Sequence, residues 1–278
     1  MSSNAIDGKP TPRPDHRIRS RNPKISFADD FPLAWHSTMP EFACAANGVS
    51  LLMPYVEPFV VRSVERVADQ LPDEVRPAAL AFARQERQHH AQHQRFNDRV
   101  YAAHPGLGWS KRLMAATFRF LDRRSDAFGV AFSAGAETVA YAGARWVDDR
   151  IGYCFDDAEP DAARLYLWHL AEEVEHKGAA HDVWESFSGN RFLYVMGTVT
   201  SILVLAFFAF VNTLGLLWVE RKLFSPRAHW NLLVWSITYA FEFLPLAVIS
   251  SLPGHHPNDL ADPVYLPTWL RTQVDNEV

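Results

Sequence analysis

Two copies of one spacing, Glu86-Arg-Gln-His89 and Glu173-Val-Glu-His176, constrain this chain more than any other feature. On a helix, residues three apart share a face, so each copy aims a carboxylate and an imidazole at one point. Each copy follows an isolated glutamate in apolar surroundings: Glu57 stands 29 residues before Glu86, and Glu137 stands 36 residues before Glu173. Both intervals suit two antiparallel helices joined by a turn. A chain that buries four glutamates together must balance their charge, because unpaired buried carboxylates are very costly. Two divalent cations do this, and the imidazoles suit iron, manganese or zinc better than magnesium or calcium. The order Glu, Glu-x-x-His, Glu, Glu-x-x-His is that of two-metal carboxylate bundles, di-iron ones above all.

The rest of the chain reads as all-α. Apolar residues recur at three- and four-residue spacing, without alternation. Helices are expected over about 57–71, 73–103, 110–149 with a break near 122–129, and 161–186. Asp161 is the expected N-cap of the last, after Pro160. Pro58 disfavours α geometry at the residue before it, which places Glu57 at a helix entrance. Glu65 is the rival to Glu57, but Arg62, Arg66 and Asp69 around it mark an exposed face. Four long helices with modest connections predict a four-helix bundle over 31–190.

The last third is different. The stretch 192–219 has no charged residue and is long enough to span a hydrocarbon core. A second apolar stretch covers 232–252, interrupted by Glu242 and Pro245, and the basic residues Arg221, Lys222 and Arg227 lie between the two. An apolar helical pair over 191–253 is expected to cover the bundle, form a homodimer interface or contact a membrane. A two-pass hairpin is disfavoured, because it would export the basic loop and leave Glu242 in lipid. Residues 1–30 carry Lys9, Arg13, Arg17, Arg19, Arg21 and Lys24 and read as a solvated basic tail; 254–278 reads as a second tail.

A net charge of -5 argues against a nucleic-acid footprint. The two cysteines, Cys44 and Cys154, are far apart, which argues against a disulfide framework or a thiolate zinc site and suits a reducing compartment. With no apolar leader-like segment at its start, the chain is expected in the cytoplasm, associated with a membrane through 192–252.

His93 lies four residues after His89, and His169 four before Glu173. Each reads as a further imidazole ligand, a proton carrier behind the ligands, or a core histidine bonded to its neighbours. His181 and Asp182 are expected to orient ligands or pair with basic residues, and Glu172 and Glu175 to face water or cations. At these residues the chain resembles a bacterial family, the predicted metal-dependent hydrolases, related to ferritin-like bundles. The resemblance rests on Pro54-Tyr-Val-Glu57, on the run from Phe82 through Gln85, Glu86, His89 and His90 to His93, on the run from Trp168 to Lys177, and on Ala180-His-Asp182-Val183. It spans about 54–252 and implies a metal-binding helical protein.

Three functions fit. The hard, anionic donor set and the apolar last third favour an oxygen-activating di-iron oxidase or oxygenase acting on a small apolar substrate. In it Glu57, Glu86, His89, Glu137, Glu173 and His176 are ligands, and His93 or His169 a ligand or proton relay. The alternative is hydrolysis by two-metal activated water, with zinc or manganese and with Glu172 or Glu175 as base. A non-enzymatic metal-storing or metal-sensing bundle is the third.

Overall fold

The computed structural model describes residues 18–23, 25–28 and 31–273. Among these the chain is all-α, and the one extended pairing is an isolated bridge between His36 and Ala158. In chain order the helices are α1 (Pro40–Ser50), α2 (Met53–Val67), α3 (Arg76–Ala103), α4 (Gly108–Leu121), α5 (Asp126–Asp148), α6 (Ile151–Phe155), α7 (Pro160–His176), α8 (Ala179–Phe187), α9 (Arg191–Val219), α10 (Pro226–Ser251) and α11 (Tyr265–Gln273).

Local chemistry sets most boundaries. The Ser125 side chain accepts from Phe128 N and starts α5 after the break expected near 122–129. Glu159, not Asp161, caps α7: its carboxylate accepts from Ala162 N, and Pro160 occupies the first turn, where its missing N–H costs nothing. Pro77 fills the same niche in α3. Helix α2 begins at Met53, four residues before the expected start, and runs through Pro58. Glu57 is therefore inside a helix. Val56, Phe59, Val60 and Val64 are buried along α2, and this packing outweighs the backbone hydrogen bond that Pro58 forfeits. The expected helix over 161–186 is two helices, α7 and α8. Between them Gly178 lies so close to Asn258 that a Cβ there would meet its Oδ1 at 2.7 Å.

Helices α2, α3, α7 and α5 pack in that cyclic order and enclose the bundle interior. Helix α9 lies along α5 and α1, and α10 lies mainly on α5, so the two apolar helices rest on the bundle more than on each other. The α5–α9 seam depends on small residues: a Cβ on Gly135 would stand 2.5 Å from Thr198 Cα, and one on Gly197 2.6 Å from Ala131 C and Phe132 N.

Both ends depart from the tails expected there. Lys9, Arg13, Arg17 and Lys24 fall outside the described residues, but Arg21 is buried against α7, where two carboxylates await it. Residues 254–273 carry α11, which packs on α7. Asp148 caps α11 by accepting from Val264 N, Tyr265 N and Leu266 N at 3.1, 3.3 and 2.7 Å. Lys177, also buried, donates to Leu260 O at 2.7 Å and pairs with Asp262.

Candidate metal centre

The six residues singled out from sequence meet inside the bundle. Glu57 comes from α2, Glu86 and His89 from α3, Glu137 from α5, and Glu173 and His176 from α7, and all six are buried. Glu65 is exposed and pairs with Arg87. The donor atoms form two adjoining groups. In one, His176 Nε2 lies 3.1 Å from Glu137 Oε2, 3.1 Å from Glu173 Oε2 and 3.4 Å from Glu86 Oε1. In the other, donor atoms of Glu57, His89 and His169 lie within 4.8 Å of one another. His89 Nδ1 stands 3.5 Å from both Glu86 Oε1 and Glu173 Oε1, and His169 Nε2 stands 2.8 Å from Glu173 Oε1. Glu173 thus faces one group with each oxygen, and Glu86 Oε1 stands between His89 and His176.

The donors fit cations by a physical test. Both oxygens of Glu57, Glu86 Oε1, Glu137 Oε2 and His89 Nδ1 are buried and hydrogen-bonded to nothing. Buried polar atoms are nearly always satisfied. Five orphaned donors around one centre match divalent ions, whose charge would satisfy them.

Electrostatics agree. Burial, reinforced by the charge of Glu86, holds the Glu57 carboxyl well above the usual range. Burial and then Glu173 do the same at Glu137. Burial opposes charge on Glu173 too, but the charge on His176 outweighs it and holds that carboxyl well below the usual range. Burial also opposes charge on the two motif histidines. Glu172 and Glu86 overcome it at His89, and Glu173 and Glu137 at His176, so both imidazoles sit well above the histidine range. The metal-free centre therefore keeps protons that incoming cations must displace.

Each motif histidine is held from behind by the residue that precedes the other helix's motif glutamate. His89 Nε2 lies 3.0 Å from Glu172 Oε2, and His176 Nδ1 donates to Gln85 Oε1 at 2.9 Å. Arg21 closes this layer: it donates to Glu172 Oε1 at 3.0 Å and to both oxygens of Glu175 at 2.8 and 2.9 Å, while Gln85 Nε2 donates to Glu175 Oε2 at 3.0 Å. Glu172, although fully buried, and Glu175 both meet Arg21, the kind of cationic partner expected of them. The matched register of Gln85 and Glu172, each one residue before its motif glutamate, is the sequence signal for this layer. Arg21 carried no such signal.

His169 and His93 complete one side. Ser50 Oγ donates to Asn97 Oδ1 at 2.8 Å, so it accepts from His93 Nδ1, also at 2.8 Å. His93 Nε2 then holds a lone pair and accepts from His169 Nδ1 at 2.6 Å. This leaves His169 Nε2 with its lone pair directed at the centre. At the equivalent place in the other motif stands Phe82, whose ring meets His176 edge-on at 4.8 Å. Burial, with His169 and His89 nearby, holds His93 well below the histidine range, and burial with His89 lowers His169.

His181 and Asp182 do not reach the centre. His256 Nδ1 accepts from Asn258 N at 3.1 Å, so its Nε2 carries the hydrogen donated to Asp182 Oδ1 at 2.7 Å. The pair ties α8 to the C-terminal segment. A surface pocket of about 230 Å³ between α2 and α3, lined by Pro58, Val61, Arg62, Glu86, Arg87 and His90, reaches Glu86 from outside.

A helical bundle around a buried carboxylate–imidazole cluster belongs, as a class, with metal-binding proteins. More particularly, the family of predicted metal-dependent hydrolases matches residues 19–261, and the chain belongs to it. No curated protein and no solved structure matches the chain. The family points to hydrolysis and overturns the expected di-iron oxidoreductase. The ligand pattern misled because carboxylates and imidazoles hold metals for both kinds of chemistry, so their order in sequence does not specify the reaction.

Proposed function

We propose that the protein is a hydrolase whose reaction depends on two divalent metals held by Glu57, Glu86, His89, Glu137, Glu173 and His176. The observation that carries this reading is the set of orphaned buried donors around one centre, in a chain belonging to the metal-dependent hydrolase family. Glu86 and Glu173, which stand between the two donor groups, and Glu57 and Glu137, which each belong to one, would supply the oxygen donors. Oxygen donors with two imidazoles suit manganese, iron or zinc.

When bound, the metals supply acidified water and a positive seat for the charge that grows on the leaving oxygen. The residues do the rest. Glu172 and Gln85 fix the faces that His89 and His176 present. His169 takes the proton of the attacking water at Nε2, and its Nδ1 proton can pass to His93 Nε2, with Ser50 and Asn97 holding His93 in the accepting tautomer. Both imidazoles are neutral at neutral pH, as a proton acceptor must be. Of the two bases expected from sequence, Glu172 is committed to His89 and Arg21 and Glu175 to Arg21 and Gln85, so neither serves.

The test is metal content and hydrolysis measured together. The parent is expected to bind about two metals per chain and to cleave members of a chromogenic panel of carboxylic, phosphoric and amide esters. Glu86→Ala with Glu173→Ala is expected to bind almost no metal and to cleave none. His169→Gln is expected to keep its metal while losing roughly 100- to 10,000-fold in rate. A folded parent that binds no metal sinks the proposal; one that binds metal yet cleaves nothing removes the hydrolase and leaves the centre.

A further inference from the structure

The molecule has two unlike sides. The outer face of α3 is charged, with Arg84, Arg87, Arg95 and Asp98 exposed to water. The outer faces of α9 and α10 are apolar. Phe192, Leu203, Phe207 and Phe210 stand exposed on α9, and Leu233, Ile237, Phe241 and Val248 on α10, with Phe241 as much as 77% exposed. Several polar groups of these helices turn inward instead, although Ser236 on α10 is exposed. Thr198, Ser201 and Thr213 are buried, Asn212 Nδ2 donates to Gly48 O at 3.0 Å, and Glu242 accepts from Arg145 Nε at 2.5 Å. This is the reverse of a water-facing helix, and a contiguous exposed apolar face of this kind marks an interaction surface.

The end of this face shows what it meets. Trp218, Phe224 and Trp230 are exposed there beside Arg221 and Lys222, the mix of aromatic and cationic side chains found where protein passes from acyl chains to anionic headgroups. Arg221 sits in the left-handed region, with φ 57°, at the end of α9, where Lys222 N reaches back to Leu217 O at 2.7 Å. Glycine is the usual residue in this turn. An arginine there, where a left-handed backbone disfavours any residue with a Cβ, is accounted for if its cation has a partner outside the chain.

Length and hydropathy alone would let α9, α10 and the stretch Pro40–Gln70 cross a membrane. The packing argues against crossing. The inner side of α9 is covered by α5 at Gly135 and by α1 at Gly48, so the helix cannot leave the bundle to enter lipid alone. We propose that the outer faces of α9 and α10 are seated in a lipid surface from one side, with Arg221 and Lys222 on anionic headgroups. Glu242, paired with Arg145, then lies on the protein side, which removes the objection its charge raised to lipid contact.

Flotation of the full-length chain with vesicles, after detergent removal, tests this. The vesicles are phosphatidylcholine alone or mixed with phosphatidylglycerol. The parent is expected to float with both and more completely with the anionic mixture. Phe207→Glu with Phe241→Glu is expected to stay at the bottom with unchanged helix content, and Arg221→Glu with Lys222→Glu to lose the preference for anionic vesicles. Brominated acyl chains are expected to quench the parent's tryptophan fluorescence, and to quench it less in Trp218→Phe with Trp230→Phe. A parent that remains unfloated as a soluble dimer overturns the proposal in favour of a second copy on this face. So does a Phe207→Glu, Phe241→Glu variant that floats as well as the parent, or an absence of quenching.

Discussion

Glu172 shows how one buried side chain can set the chemistry of another. Its Oε2 takes the Nε2 side of His89, which leaves Nδ1 as the atom facing Glu86 and Glu173. Glu172→Gln keeps the shape but loses the charge that Arg21 and His89 share. It is expected to weaken manganese or zinc binding by roughly 10- to 100-fold, measured by calorimetric titration, without the near-total loss of the double glutamate variant. Ser50→Ala removes the acceptor that fixes His93, so His169 loses its directed lone pair. Hydrolysis is expected to fall and metal content to remain, read from rate and metal analysis on the same sample. The contrast between the variants separates holding metal from handling protons. The Glu-x-x-His spacing pointed to the residues that converge, because helical periodicity puts them on one face. It did not point to Ser50 or Arg21, which reach the site from outside the motif helices, or to Asn97, which lies on α3 one turn beyond His93.

Helices were legible where apolar periodicity was interrupted, as at the break near 122–129 that Ser125 turns into the start of α5. They were misread where packing overrode a local rule. Pro58 argued for a late start to α2, and buried contacts along Phe59, Val60 and Val64 carried the helix through it. The break at Gly178 was also missed, because it is set by a distant segment pressing in at Asn258. The α5–α9 seam belongs to this scale. Gly197→Ala places a methyl 2.6 Å from the α5 backbone, where no flexible side chain can yield. It is expected to cost about 1–3 kcal/mol of stability, measured by denaturant unfolding. Gly143→Ala, on the open side of α5 with nothing within 4 Å, is expected to be neutral or slightly stabilising.

For the whole molecule, the centre couples folding to pH, and bound metal changes that coupling. In the metal-free protein, His89 and His176 are raised above the unfolded histidine value of 6.5, and Glu57 and Glu137 above the unfolded carboxyl value of 4.5. The raised histidines contribute stability below pH 6.5 that is lost as pH rises through their folded values. The raised carboxyls also bind more protons folded than unfolded, so they too lose ground as pH rises. Glu173 is lowered and ionised in both states above pH 6.5, while the lowered His93 and His169 oppose the fall only until their unfolded imidazoles, ordinarily near 6.5, have lost their protons. The Tm of the chelator-treated protein is therefore expected to fall as pH is raised above 6.5. The gap to the metal-loaded protein should widen over the same range, because cations compete with fewer protons. Differential scanning calorimetry of both forms checks this, and a metal-free Tm that rises with pH would contradict it.

The contact between Arg21 and Glu175 spans 154 residues of chain. A ribosome adding roughly 5–20 residues per second takes on the order of 8–30 s to make the second partner after the first. During that interval the leading arm has no seat, and the four ligand-bearing helices cannot all be present. The centre is thus a late product of synthesis, closed by a segment made long before it. In the growing chain, Glu57, Glu86 and His89 are made well before Glu173 and His176, so a cation captured early meets only half of its eventual donors.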